Sequence, residues 1–140
     1  MTAKVVREVK LILPMSPNME LVAAQTASSL AELMDFEENN INELQLAIIE
    51  TCINAFEHSQ SKDQRVFLTF MMRDDALELT ITDRGAGFQP KKVAPSKART
   101  DGGMRKRGWG LEMVRNMVDT VNVQSGKRGT TVTIIKRKLK

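Results

Sequence analysis

Ala76-Leu-Glu-Leu-Thr-Ile-Thr-Asp83-Arg-Gly85-Ala-Gly87-Phe88 alternates apolar and polar side chains as far as Asp83 and then breaks into glycines. Leu77, Leu79 and Ile81 against Glu78, Thr80 and Thr82 give the period of two that marks a half-buried strand. The strand therefore ends on a carboxylate followed by a glycine turn. Aspartate is favoured in such turns merely because it bonds nearby amides. It also offers an acceptor to a ligand, and Gly85 and Gly87 would let the backbone approach that ligand with no side chain between.

Upstream, Val66, Leu68, Phe70 and Met72 alternate with Phe67, Thr69 and Met71 in a strand over 64–72. Both faces are largely apolar, which predicts a central strand, and Arg73-Asp74-Asp75 turns the chain into the next one. A helix over roughly 41–58 precedes it, with Asn40 and Glu43 spaced as a capping box. Its wheel gathers Glu43, Glu50, Asn54, Glu57 and His58 in one wedge, opposite Ile41, Leu44, Ile48, Cys52 and Ala55. Taken alone, such a wedge is a solvated face. If it lines a cleft, Glu50 and Asn54, one turn apart, can hold a hydroxyl and a magnesium ion together, because an amide oxygen suits a metal already carrying phosphate charge. Further upstream, Ser16-Pro17 reads as the start of a helix to about Met34, with Leu21, Ala24, Ala27, Leu30 and Ala31 inward. Residues 4–13 read as a first strand, stopped by Pro14.

Downstream, residues 89–107 have no apolar periodicity and include Pro90, Pro95, Gly102, Gly103 and many cations. A loop of this length in a compact domain is a lid or is disordered. Gly108-Trp109-Gly110-Leu111 leads directly into a third helix, with Leu111, Val114 and Val118 inward. Unpaired amides at a helix start suit phosphate oxygens, and Arg105, Lys106 and Arg107 stand beside them. No Gly-Lys-Ser/Thr follows, and no strand leads into this turn, so it is neither a P-loop nor a dinucleotide fingerprint. Two strands, about 119–125 and 130–137, flank the turn Gly126-Lys-Arg-Gly129, with Thr130 opening the second. The order β-α-α-β-β-loop-α-β-β predicts a two-layer α+β sandwich, its mixed, mostly antiparallel sheet covered on one face by about three helices. Carboxylate, polar helix stripe and helix-start amides together point to a bound nucleotide, with ATP the leading reading.

The chain of 140 residues is the size of one domain, and residues 1–140 are read as such. A single cysteine, Cys52, excludes an internal disulfide, and with one histidine it excludes a zinc site. No apolar run approaches the ~20 residues of a membrane span, and there is no signal-peptide pattern, so a cytoplasmic location is expected. The formal net charge of +4 sits largely in 91–107 and in the tail 136–140. Such runs are solvated or attract phosphate, and with no tyrosine and few aromatic residues nucleic-acid binding is not expected.

These segments resemble the GHKL (Bergerat-fold) ATPase superfamily of gyrase, histidine kinases, mismatch-repair MutL proteins and a heat-shock chaperone. Glu50-x-x-x-Asn54-Ala55-x-x-His58 looks like its N-box. Asp83-x-Gly85-x-Gly87-Phe88 matches its first glycine box, and Gly108-x-Gly110-Leu111 resembles the second, with Gly129-Thr130 beginning its threonine strand. Within it the chain most resembles the stand-alone anti-sigma-factor serine kinases of bacterial partner-switching systems. The resemblance implies that Glu50 is the general base and Asn54 the magnesium ligand. It implies that Asp83 meets adenine with Thr130 assisting, that Gly85, Gly87 and Phe88 shape the base pocket, and that Arg107, Gly108, Trp109, Gly110 and Leu111 face the phosphates, with His58 completing the N-box. ATP and magnesium are the implied cofactors. A sigma factor and a STAS-domain anti-anti-sigma protein are the implied partners, and a homodimer is suggested. The alternatives are an ATP-gated binding switch without catalysis and a diverged histidine-kinase catalytic domain.

Overall fold

A computed structural model describes residues 5–59, 61–85 and 110–138. In chain order they form β1 (Val5–Pro14), α1 (Met19–Leu33), α2 (Glu38–His58), β2 (Arg65–Arg73), β3 (Ala76–Asp83), α3 (Gly110–Met117), β4 (Thr120–Gly126) and β5 (Gly129–Arg137). The strands make one sheet in the order β1-β2-β3-β5-β4, and all four pairings are antiparallel. The expected sandwich is present, without the parallel component that "mixed" allowed. β2 is internal, as its two apolar faces predict, but β3 holds the centre.

Alternation decides which face is covered. Val66, Leu68, Phe70 and Met72 of β2, Leu77, Leu79 and Ile81 of β3, and Val132 and Ile134 of β5 are buried against the helices. The intervening side chains are half-buried on the open face. α1 lies close to the sheet because its inward residues are small: Ala23, Ala24, Ala27, Ser28 and Ala31 are buried beside Leu30. Leu21 was expected inward and is 51% exposed. At 100° per residue it falls about a quarter turn from the middle of that stripe. α2 supplies the larger groups, Leu44, Ile48 and Cys52, and α3 supplies Val114, with Val118 just beyond its end. Among the described residues no helix is long and apolar enough to cross a membrane.

Both helix starts differ from expectation. Ser16 and Pro17 lie in a turn, and the residue before α1 is Asn18, held at φ 77 with no side-chain cap. Asparagine tolerates the left-handed region better than other non-glycine residues, so the chain turns there and the helix begins at Met19. α2 begins at Glu38, upstream of the expected capping box. Asn40 falls within its first turn and its Nδ2 donates to Lys138 O at 3.5 Å.

Glu43 serves a different purpose. Lys136, read from the sequence as part of a solvated cationic tail, is buried, with Nζ 2.8 Å from Glu43 Oε1 and 2.6 Å from Met117 O. Its position on the covered face of β5 forces the stem inward. The ammonium then needs acceptors, since a buried charge without partners is costly. It finds one on α2 and one at the carbonyl end of α3, where helix geometry leaves oxygens without intrahelical donors. One side chain thus ties three elements together.

Lys136→Ala should lower the unfolding free energy by about 2–4 kcal/mol, through the lost stem and the acceptors left without a donor. Lys136→Met, which keeps the volume, should cost about 1 kcal/mol. Urea unfolding reads both. A loss for alanine within the ~0.5 kcal/mol of an ordinary surface change would mean that the ammonium holds nothing together.

Candidate functional site

The covered layer opens at one end, where β3 and β5 stop packing apolar side chains and present polar ones. Asp83 is the last residue of β3 and Thr130 lies opposite it in register on β5. Both are buried, at 4% and 3% exposure. Asn54 of α2 and Leu111 of α3 close the same small cavity, and Thr51, Ile81 and Val132 complete its apolar lining.

Each polar group has its own restraint. Asp83 Oδ1 accepts from Gly85 N–H at 2.8 Å, the aspartate-turn bond expected of this motif, and from the Ser59 hydroxyl at 3.1 Å. Thr130 Oγ1 lies 3.0 Å from Ser125 Oγ of β4, so the edge strand orients it. Thr51 returns its hydroxyl to Ala47 O at 2.8 Å, so that hydroxyl is already satisfied within α2. Asn54 Oδ1 is buried with no hydrogen-bond partner among the described residues. A buried acceptor left unmade costs on the order of 1–3 kcal/mol, so this oxygen has the capacity to take a donor or a cation.

The backbone at this end is unusually close. Gly129 has φ 137, and a Cβ built on it would lie 2.0 Å from Asp83 O and 2.9 Å from Arg84 Cα. Only glycine permits that approach. The Asp-Gly turn and the Gly-Thr strand start, 46 positions apart (129 − 83), are therefore one physical unit.

Of the sequence-predicted residues, the structure brings Asn54, Asp83, Leu111 and Thr130 together, with Gly85 buried beside Asp83. Glu50, one turn before Asn54, and His58, the last residue of α2, are half-buried and do not line the cavity. Gly110 is the first residue of α3. Gly87, Phe88, Arg107, Gly108, Trp109 and the expected lid 89–107 lie outside the described residues. Sequence reasoning missed Ser59 and Ser125. Ser59 directly follows the predicted polar stripe, which was a usable signal. Ser125 had none, since its role depends on strand register. A wider groove between α1 and α2, lined by Leu21, Gln25, Leu46 and Ile49 among others, includes no ionisable side chain. Among the described residues no three His, Cys, Asp or Glu cluster as metal ligands.

Cys52 faces the core from α2, and burial, with a smaller contribution from the Glu20 charge, pushes its thiol up to about 12. An acid whose folded value is raised stabilises the fold below its unfolded value and loses that contribution as pH rises toward the folded one. The stability gap between wild type and Cys52→Ala should therefore narrow from about pH 9 upward. Urea midpoints at several alkaline pH values would measure it; a constant gap would mean that the thiol ionises alike in both states.

A family model described as "Histidine kinase-like ATPase domain" matches residues 15–136. The chain is 28% identical over 137 residues to serine-protein kinase RsbW of Bacillus pumilus, covering 91% of this chain and 84% of that protein. It is 27% identical over 135 residues to the protein of the same name from Bacillus subtilis, with the same two coverages. Among solved structures it is similar to the RsbU and RsbW domains of Rv1364c from Mycobacterium tuberculosis, at TM-score 0.70 and 22% identity over 94% of this chain and 32% of that one. A histidine kinase domain from Erythrobacter litoralis aligns at TM-score 0.53 and 20% identity over 97% of this chain and 69% of that one.

Proposed function

The chain belongs to the histidine kinase-like ATPase domain family, and from that premise we propose that it is an ATP-dependent serine/threonine-protein kinase that acts as an anti-sigma factor. Its substrate is a serine or threonine on a STAS-domain anti-anti-sigma protein, and its other partner is a sigma factor. Similarity to serine-protein kinases across most of their length supports the activity. The observation that carries the site assignment is the buried carboxylate of Asp83, opposite Thr130, in one cavity with Asn54 Oδ1, which has no hydrogen-bond partner among the described residues.

The chemistry follows from what each residue can do. Asp83 accepts from the exocyclic amine of adenine, and Thr130, oriented by Ser125, supports the same edge through a water. The first turn of α3, at Gly110 and Leu111, turns amides toward the phosphates, where unpaired N–H groups stabilise negative charge. Asn54 Oδ1 suits a magnesium ion, being a neutral oxygen with no donor among the described residues; magnesium, when bound, neutralises phosphate charge. Glu50, a turn away on the same helix, orients the acceptor hydroxyl and takes its proton. Phosphoryl transfer asks a protein for placement and electrostatics more than for covalent chemistry, and a site of this kind provides both.

Incubation with labelled ATP and a STAS-domain protein should transfer the γ-phosphate to a serine or threonine of that protein. Glu50→Gln should reduce transfer by at least ~100-fold, the lower range for loss of a general base, with ATP affinity within a few-fold of wild type. Transfer at the wild-type rate would remove Glu50 from the chemistry and favour a nucleotide-gated binding switch.

A further inference from the structure

Asp83 is gripped through one oxygen. Gly85 N–H and the Ser59 hydroxyl both donate to Oδ1, at 2.8 and 3.1 Å. A third bond fixes the direction of the second: Ser59 Oγ accepts from Ser61 N–H at 3.1 Å, which leaves its own hydrogen for the carboxylate. Ser59 is itself anchored. Its N–H donates to Ala55 O at 3.0 Å and closes α2. The loop beyond it is braced by the Ser61 hydroxyl on Asp63 and by Gln64 Nε2 on Ser61 O at 2.8 Å. Asp83 Oδ2 has no hydrogen bond among the described residues.

We propose that Ser59 determines base specificity by locking Asp83 so that Oδ2 alone faces the ligand. This rests on the reading of Asp83 as the residue that meets the base. A carboxylate held by two donors on one oxygen is a fixed acceptor. It favours a purine with an amine at its six-position and opposes one with a carbonyl there, where lone pairs would face lone pairs. With one donor removed, rotation about the terminal carboxylate torsion, which is broad and soft, lets Asp83 turn aside. The penalty against the carbonyl base then falls. Ser59 touches no ligand in this scheme and is a positioning residue.

Calorimetric affinities of the full chain for ATP and for inosine triphosphate test it. Ser59→Ala should weaken ATP binding about tenfold, the size of one hydrogen bond to a charged group, and change inosine triphosphate binding by less than about twofold. Ser59→Thr, which restores the hydroxyl, should return the ratio of the two to within about twofold of wild type. Ser59→Val, of similar shape without the hydroxyl, should behave as alanine does and replaces it if alanine impairs folding. Equal loss for both nucleotides would mean that Ser59 merely supports its loop, and would overturn the proposal. Asp83→Asn separates the two levels. If it collapses the ratio while Ser59→Ala leaves it intact, Ser59 is excluded and the base-reading role of Asp83 stands. If neither changes the ratio, both fall.

Discussion

Gly129 has no side chain, and the carbonyl of Asp83 stands where one would be. The Asp83 end of the sheet depends on that close approach. It lets the start of β5 lie against the end of β3, which sets Thr130 opposite Asp83. The register then carries outward: β4 pairs Ser125 with Thr130, and the two hydroxyls meet at 3.0 Å. Because side chains alternate along a strand, a slip of one residue would turn Thr130 and Lys136 to the open face together. The polar pair at one end of β5 and the buried ammonium at the other are thus fixed by the same registration.

The two ends of the helical layer are finished differently. At the Lys136 end, acceptors from α2 and α3 are satisfied within the protein. At the Asp83 end, Asn54 Oδ1 and Asp83 Oδ2 carry no internal hydrogen bond among the described residues. Closing these groups internally would raise stability and remove the site. Leaving them open makes the fold gain from a ligand, since binding to the folded state alone stabilises it by mass action.

Much of the fold could be read from the chain because one sheet face is covered and the other is not. That asymmetry writes a period of two into β2, β3 and β5, and the glycine punctuation marks where β3 stops. What escaped reading was decided by contacts between distant residues. Lys136 looked like the first of a run of tail cations, and only the pairing of β5 with β3 turns it inward. Leu21 looked like core because its spacing fits, yet the small residues of α1 set the stripe a quarter turn away. The start of α1 was missed because Asn18 adopts a left-handed conformation, which composition does not disclose. The site shows the same division. Asp83, Asn54 and Thr130 were legible as motifs. Ser125 was not, because its meaning lies in a side chain that strand register brings to it; Ser59 adjoined the polar stripe, but its partner Asp83 is brought to it only by the fold.

α3 joins these observations. Its carbonyl end is held by Lys136 through Met117 O, and Leu111 in its first turn lines the cavity that contains Asn54 and Asp83. A helix fixed at one end carries that placement along its length, because its internal hydrogen bonds resist bending over two turns. The ammonium that reads as a stability element therefore also sets where Leu111 stands relative to the Asp83 carboxylate. β5 carries both restraints, Thr130 near its start and Lys136 near its end, so both ends of the helical layer are tied to a single strand.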